Sequence, residues 1–330
     1  MTKVQKFCGV DVSKRNFHAA VETGNGVCAK AFAYNEEGMH RFLEHLPEGV
    51  HCIMESTGTY HCRLAYFLAE HGVSVSVVNP LSVRRYAQAL MSRTKTDKAD
   101  CRLLIEFGRT FTPKAWKPKS SRYVELQQLV NLQELLVRQR TALSNQLEAV
   151  AYSVVQGVAK GLLEDQLAHL DRKLKEVERE AERLAALHAP RELSLLTSIP
   201  GVGKKTAVTL LSLTDGVQGF SSYRQLSSYL GLCPRLYESG TSVKGKARIC
   251  KMGMGTVRKL LYMCALSAAR ANRACRELYA RLLAKGKQKK LILIAIANKL
   301  LKQIFAVVKS GLAYNENFLS KKLAYEHSSC

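Results

Sequence analysis

Hydrophobic and polar positions along the first hundred residues change period several times, and each change marks an element. Residues 6–12 form a short apolar run with Asp11 near its end, and two strand-like pieces follow at 17–22 and 27–34 around the turn signal Thr23-Gly-Asn-Gly26. Residues 36–46 switch to helical spacing. Residues 50–54 are again a short apolar run, ending on Glu55, and the Ser/Thr/Gly-rich residues 56–60 lead into a helix reaching about residue 70. A fifth strand at 73–78 closes on Asn79-Pro80, a side-chain cap followed by a proline suited to the first turn, for a helix over 81–90. Asp97 and Asp100 then open a helix carrying Leu103, Leu104, Ile105 and Phe107. Three strands in a meander followed by alternating helices and strands predict an α/β unit, a mixed sheet with helices packed on it.

The pattern changes character after a linker that is bracketed by Pro113 and Pro118 and holds the only tryptophan, Trp116. Leu129, Leu132, Leu136, Leu143, Leu147 and Val150 recur at helical spacing. Past a break near Gly157 and Gly161, Leu163, Leu167, Leu170, Leu174, Val177, Ala181 and Leu184 alternate by four and three, a coiled-coil seam with a charged outer face. It suits an antiparallel hairpin folded within the chain or an oligomerising arm. Helices are expected again at 256–273, 277–285 and 290–310, so the chain ends mainly α-helical. The expected domains are 1–112, a linker and helical arm over 113–190, and a C-terminal domain over 191–330.

Charge narrows the partner. Lys and Arg number 50 against 27 Asp and Glu, a formal +23, which points to nucleic acid or an anionic membrane. No run of 18 apolar residues argues for a membrane span, the N-terminus does not resemble a signal peptide, and ten cysteines without a C-x-x-C pair suggest neither a zinc site nor a disulfide framework. The expectation is a cytoplasmic nucleic-acid-binding protein.

The acids carry the candidate chemistry. Asp97 and Asp100 lie one helical turn apart on one face. Arg93, Lys95, Lys98 and Arg102 surround them, so one reading is a solvated helix start with acids favoured by the dipole. The other is a divalent-metal site facing a polyanion. Asp11 and Glu55 end apolar strands, where α/β sheets gather functional groups and where an unpartnered carboxylate is expensive to bury.

Two later stretches bear on phosphate binding. In Ile199-Pro-Gly201-Val-Gly203-Lys204-Lys205, one helix ends and another begins, offering backbone N–H groups, a helix dipole and two cations to a phosphate. The stretch resembles a helix-hairpin-helix motif, and is equally read as a Gly-rich helix connection. From residue 231 onward about 20 Lys/Arg face 4 Asp/Glu. Within that region, residues 233–251 form a loop or hairpin carrying Ser239, Lys244, Lys246, Arg248 and Lys251. A serine among cations fits a nucleophile for a phosphodiester, a simple phosphate contact, or a turn former.

Taken together, Gly9-Val-Asp11-Val-Ser13-Lys14, Glu55-Ser-Thr-Gly-Thr-Tyr60, Val78-Asn-Pro80, Lys95-Thr-Asp97-Lys-Ala-Asp100 and the later Pro234-Arg-Leu-Tyr-Glu-Ser239-Gly resemble the DEDD-type insertion-sequence transposases, a group that includes the Piv DNA invertases. The resemblance implies an RNase H-like, RuvC-type N-terminal domain whose Asp11, Glu55, Asp97 and Asp100 surround Mg²⁺. It also implies a C-terminal transposase domain whose serine nucleophile is Ser239 rather than Ser242, giving a covalent phosphoserine intermediate. It further implies donor and target DNA, an element-encoded bridge RNA, and a homo-oligomer, dimer to tetramer, in synapsis. The setting would be the bacterial or archaeal cytoplasm, at the nucleoid, with no membrane partner. The main alternative is a metal-dependent, RuvC-like structure-selective nuclease in which the acids activate water. A non-enzymatic DNA- or RNA-binding protein and a membrane-surface binder are the remaining alternatives.

Overall fold

A computed structural model of the chain describes residues 6–23, 26–56, 58–92, 96–153, 157–235, 238–239, 243–244, 248–250 and 252–317. The chain divides into two compact units, Met1–Pro118 and Lys119–Cys330.

Unit 1 is built on five strands: β1 (Phe7–Val12), β2 (Asn16–Thr23), β3 (Gly26–Ala33), β4 (His51–Glu55) and β5 (Ser74–Val78). They stand in the order β3-β2-β1-β4-β5, with the meander β1 to β3 antiparallel and β4 and β5 parallel to β1. That order is consistent with an RNase H-like α/β domain. Four helices pack on the sheet: α1 (Glu36–His45), α2 (Tyr60–Glu70), α3 (Pro80–Ala89) and α4 (Asp97–Phe111). Their starts are encoded locally. Asn35, Asn79 and Thr96 each accept a hydrogen bond from a first-turn N–H, a cap whose loss costs about 1 kcal/mol.

Strand alternation sorts the two faces. Cys8, Val10, Cys52 and Met54 point into a core with Leu64, Leu68 and Phe42, which α1 and α2 cover. Phe7, Ala20 and Ile53 point the other way, against Leu104, Ile105 and Phe107 of α4. Helix α4 lies unusually close to the sheet because glycines stand at the contact. A Cβ on Gly9 would lie 1.9 Å from the Cys101 carbonyl oxygen, and one on Gly108 2.9 Å from Phe7 and Ile53.

Unit 2 begins with two long helices, α5 (Ser121–Ala151) and α6 (Gly157–His188). They run antiparallel, because Gln133 bonds Glu178, Arg140 bonds Asp171, and Arg122 bonds the His188 carbonyl. As the residue number rises on one helix it falls on the other. Next come α7 (Pro190–Thr197), α8 (Lys204–Thr214), a 3-10 turn at Asp215–Val217 and α9 (Tyr223–Leu230). Two short ribbons follow, β6 (Pro234–Arg235) with β9 (Arg248–Ile249) and β7 (Glu238–Ser239) with β8 (Val243–Lys244). The described chain closes with α10 (Gly255–Ala271), α11 (Arg273–Ala284) and α12 (Lys289–Ser310). Among the described residues α12 is the one helix long and apolar enough to cross a bilayer. Its Ile292, Ile296, Leu300, Leu301 and Ile304 are buried in the core of unit 2 with Leu210, Leu211, Leu261 and Ala265.

Candidate active site

The acid-bearing face of unit 1 follows from register and alternation. Val10 pairs with Met54 across the parallel β1–β4 ladder, so Asp11 and Glu55 stand one step further along, level with each other at the carboxyl ends of neighbouring strands. Both share the parity of Phe7 and Ile53 and therefore face α4. On the other side of β1, His18 is the Cα partner of Asp11. The tight seat at Gly9 brings the first turn of α4, with Asp97 and Asp100, to this face.

Electrostatics register the gathering. Cys101 is buried, and its thiol donates to the His18 carbonyl oxygen at 3.2 Å. Burial, and beyond it the fields of Asp11, Asp100 and Asp97, push that thiol up to about 12, against a hydrogen bond at Asp11 that pulls it down. Three of the four carboxylates therefore act on one buried atom. The described ion-pair partner of Asp97 is His18, Nδ1 to Oδ2 at 3.2 Å, rather than the exposed Lys98 or Arg102. His18 stands in the apolar run 17–22, where a lone imidazole on a strand is the only local signal of its place. The acids are hard oxygen donors of the class that Mg²⁺ prefers. Among the described residues no three His, Cys, Asp or Glu side chains form a ready-made metal site.

The turn singled out in unit 2 is built as a joint between helices. Gly201 has φ +100°, and a Cβ there would lie 2.6 Å from that of Ala268, so α10 rests directly on the turn. Gly203 caps α8 without a side-chain bond. Lys205 pairs with Glu178 at 2.9 Å and Lys204 with Glu182 at 3.4 Å, which ties the start of α8 to α6. Both lysines are exposed and can exchange these pairs for a phosphate.

Ser239 is the second residue of β7, across from Val243, and Glu238 is across from Lys244. Arg235 pairs with Arg248, and the Cys250 N–H bonds the Cys233 carbonyl at the foot of the ribbon. For Ser239, Lys244 and Arg248 the backbone alone is described; Lys246 and Lys251 lie outside the described residues.

Residues 8–154 match a DEDD-type IS110 transposase family, and residues 193–280 match the transposase IS116/IS110/IS902 family. The pilin gene-inverting protein of Moraxella lacunata is 32% identical over 324 residues, covering 94% of this chain and 98% of that protein. The chain belongs to the IS110 transposase family. The pilin gene-inverting protein of Moraxella bovis is likewise 32% identical, over 94% of this chain and 98% of its own length. A Yersinia enterocolitica transposase for the insertion sequence element IS1328 is 26% identical, over 78% of this chain and 82% of that one. Membership makes this IS110-family transposase an enzyme of DNA strand cleavage and transfer, with DNA as its partner. Both matched regions carry the candidate chemistry: Asp11, Glu55, Asp97 and Asp100 in the first, Ser239 in the second.

Proposed function

We propose that this transposase cuts and rejoins DNA through a covalent phosphoserine on Ser239, with Asp11, Glu55, Asp97 and Asp100 as ligands of Mg²⁺. The observation that carries the metal half is the common face of Asp11 and Glu55, with Asp97 and Asp100 delivered to it by the tight seat of α4. Carboxylates gathered on one face repel one another, and a divalent cation would relieve that repulsion. When bound, the ion would polarise the phosphate and stabilise the departing oxygen. His18 orients Asp97 through Nδ1. In the chemical step the Oγ of Ser239 bonds to phosphorus as the bond from phosphorus to the sugar oxygen breaks. The serine proton passes, in net terms, to that sugar oxygen, which leaves as a free hydroxyl. The ester energy is kept in the phosphoserine, so rejoining needs no ATP. Lys244, Lys246, Arg248 and Lys251 hold backbone phosphates near the nucleophile, and Gly201, Gly203, Lys204 and Lys205 hold one more.

The same reading takes unit 1 as a RuvC-type nuclease fold, which the strand order supports, and α5–α6 as a coiled-coil arm, which their antiparallel pairing supports. Site choice would come from an element-encoded bridge RNA pairing with donor and target DNA, and the working species would be a homo-oligomer in the bacterial or archaeal cytoplasm. These three features rest on the family resemblance. The deciding experiment is covalent trapping of full-length protein with element-end DNA, its flanking RNA and Mg²⁺, resolved on a denaturing gel. A protein–DNA adduct is expected from wild type and lost in Ser239→Ala and in Asp11→Ala. Cleavage without an adduct, untouched by Ser239→Ala and abolished by Asp11→Ala, would instead identify a water-activating nuclease.

A further inference from the structure

We propose that the elbow joining α11 to α12 is a docking surface for the phosphate backbone of DNA, made of residues that neither the acid-bearing face nor the serine ribbon uses. Arg281, Lys285, Lys287, Lys289 and Lys290 lie within ten residues, and all five are exposed. Between residues 278 and 315 there is no Asp or Glu at all. The ion pairs found in the described chain involve none of the five. Six exposed cations elsewhere in unit 2, Arg140, Lys173, Arg183, Lys204, Lys205 and Arg273, each have a carboxylate, and the exposed Arg172, Lys175 and Arg179 of α6 stand next to or near Asp171, Glu176, Glu178 and Glu180 in the sequence.

The backbone gives the cluster a fixed form. At the end of α11 the Gly286 N–H bonds the Leu283 carbonyl and the Lys287 N–H bonds the Leu282 carbonyl, a closed turn with Gly286 at φ +67°. Nothing lies within 4 Å of where a Gly286 Cβ would be, so a ligand backbone can come close. Helix α12 then starts from Gln288 without a side-chain cap and with two lysines, Lys289 and Lys290, in its first turn. Cations there oppose the helix dipole, and uncapped N–H groups face solvent beside them. An anion satisfies both at once, and a row of phosphates matches a cluster of this span better than a single ion does. DNA is the polyanion on which the family acts, and the proposal rests on that reading.

The experiment is binding of full-length protein to a duplex of unrelated sequence across a salt series. Each phosphate contact contributes about 0.9 to the slope of log affinity against log salt. In K285Q/K287Q/K289Q/K290Q the slope should flatten by about two to four by that rule, and the pairs K285Q/K287Q and K289Q/K290Q should each give part of it. Far-UV circular dichroism checks that folding is retained, as expected for exposed side chains. The control R172Q/K173Q/K175Q/R179Q loses the same charge from exposed positions on α6 and should keep the wild-type slope. An unchanged slope in the elbow variant overturns the proposal, as does an equal flattening in the control. A loss confined to an RNA hairpin, with duplex DNA unaffected, overturns the assignment to DNA. Ser239→Ala should keep the slope while losing the covalent adduct, so failure of the nucleophile reading and failure of the elbow are told apart.

Discussion

Gly9 shows how much of the candidate site hangs on the absence of one carbon. The 1.9 Å approach of a Cβ to the Cys101 carbonyl leaves no room for alanine without moving α4 off β1. Gly9→Ala is expected to destabilise unit 1 by about 1–3 kcal/mol, the range for overpacking, and to shift Asp97 and Asp100 away from Asp11. Trp116 is the only tryptophan and packs edge-on to Tyr66 within unit 1, so thermal melts followed by its fluorescence read this unit alone. An unchanged melt in Gly9→Ala would contradict the close packing. The same probe tests the carboxylates without asking for catalysis. Mg²⁺ or Mn²⁺ should raise the Trp116-detected midpoint of wild type, because an ion that binds only the folded state stabilises it, and Asp11→Asn should lose most of that rise. Asp11 and Glu55 are legible in the sequence because an acid at the end of an apolar run is conspicuous. His18 is much less so, since its role depends on which residue β1 sets across from it, and that register is a tertiary fact.

At the scale of elements, much of the fold could be read from pattern, because β1 and β4 are short apolar runs buried on both faces and helices such as α1 and α4 bury one regular face. The small ribbons β6–β9 and β7–β8 could not, since two-residue strands carry no period. Nor could the way β5 is tied to the linker. His51, on β4, packs its ring tilted against Phe7 and bonds Ser76 of β5 at 2.8 Å. Ser76 in turn donates to the carbonyls of Pro113 and Lys114, at 3.0 and 2.7 Å. With its own proton spent on those carbonyls, the Ser76 oxygen accepts from the imidazole Nε2–H, and Ser74 Oγ, 3.4 Å away, is set to donate to Nδ1. That arrangement wants a neutral ring, and burial lowers the His51 pKa below its usual value. The unfolded chain therefore binds a proton that the folded chain resists, and stability rises with pH in that window. The contribution is complete above about pH 6.5, the unfolded value, and is lost as pH falls toward the depressed folded one. Trp116 melts should show a fall in midpoint below about pH 6.5 that is reduced in His51→Phe; an identical pH profile in the variant would refute the assignment. In the α5–α6 hairpin, buried apolar contacts should outweigh the visible ion pairs. Leu184→Ala is expected to cost about 2–5 kcal/mol, whereas removing the exposed Arg140–Asp171 pair should cost no more than about 1 kcal/mol.

Across the whole molecule, chemistry and charge are distributed unevenly. Unit 1 holds the four acids, while residues 119–330 hold 34 of the 50 Lys and Arg but 16 of the 27 Asp and Glu, so +18 of the formal +23 belongs to unit 2. Each unit has its own buried core, Phe42, Leu64 and Leu104 among others in the first, Leu210, Leu261 and Ile296 in the second. Two cores imply two unfolding events, and the chain provides a separate reporter for each. Trp116 fluorescence follows unit 1, and far-UV circular dichroism is dominated by the long helices of unit 2. Non-specific affinity for DNA follows the distribution of cations, and a ligand raises the stability of the part it binds in its folded form. Duplex DNA of unrelated sequence, without divalent ions, should therefore raise the circular-dichroism midpoint substantially at low salt and the Trp116 midpoint little. The difference should shrink as salt is raised, because counterion release supplies less driving force. Equal shifts in both probes would mean that the phosphate backbone engages unit 1 as strongly as unit 2, despite the +18 formal charge of unit 2. With Mg²⁺ added the order of effects should change: the Trp116 midpoint rises through the carboxylates, and Asp11→Asn removes that rise while leaving the DNA-dependent shift of unit 2 intact.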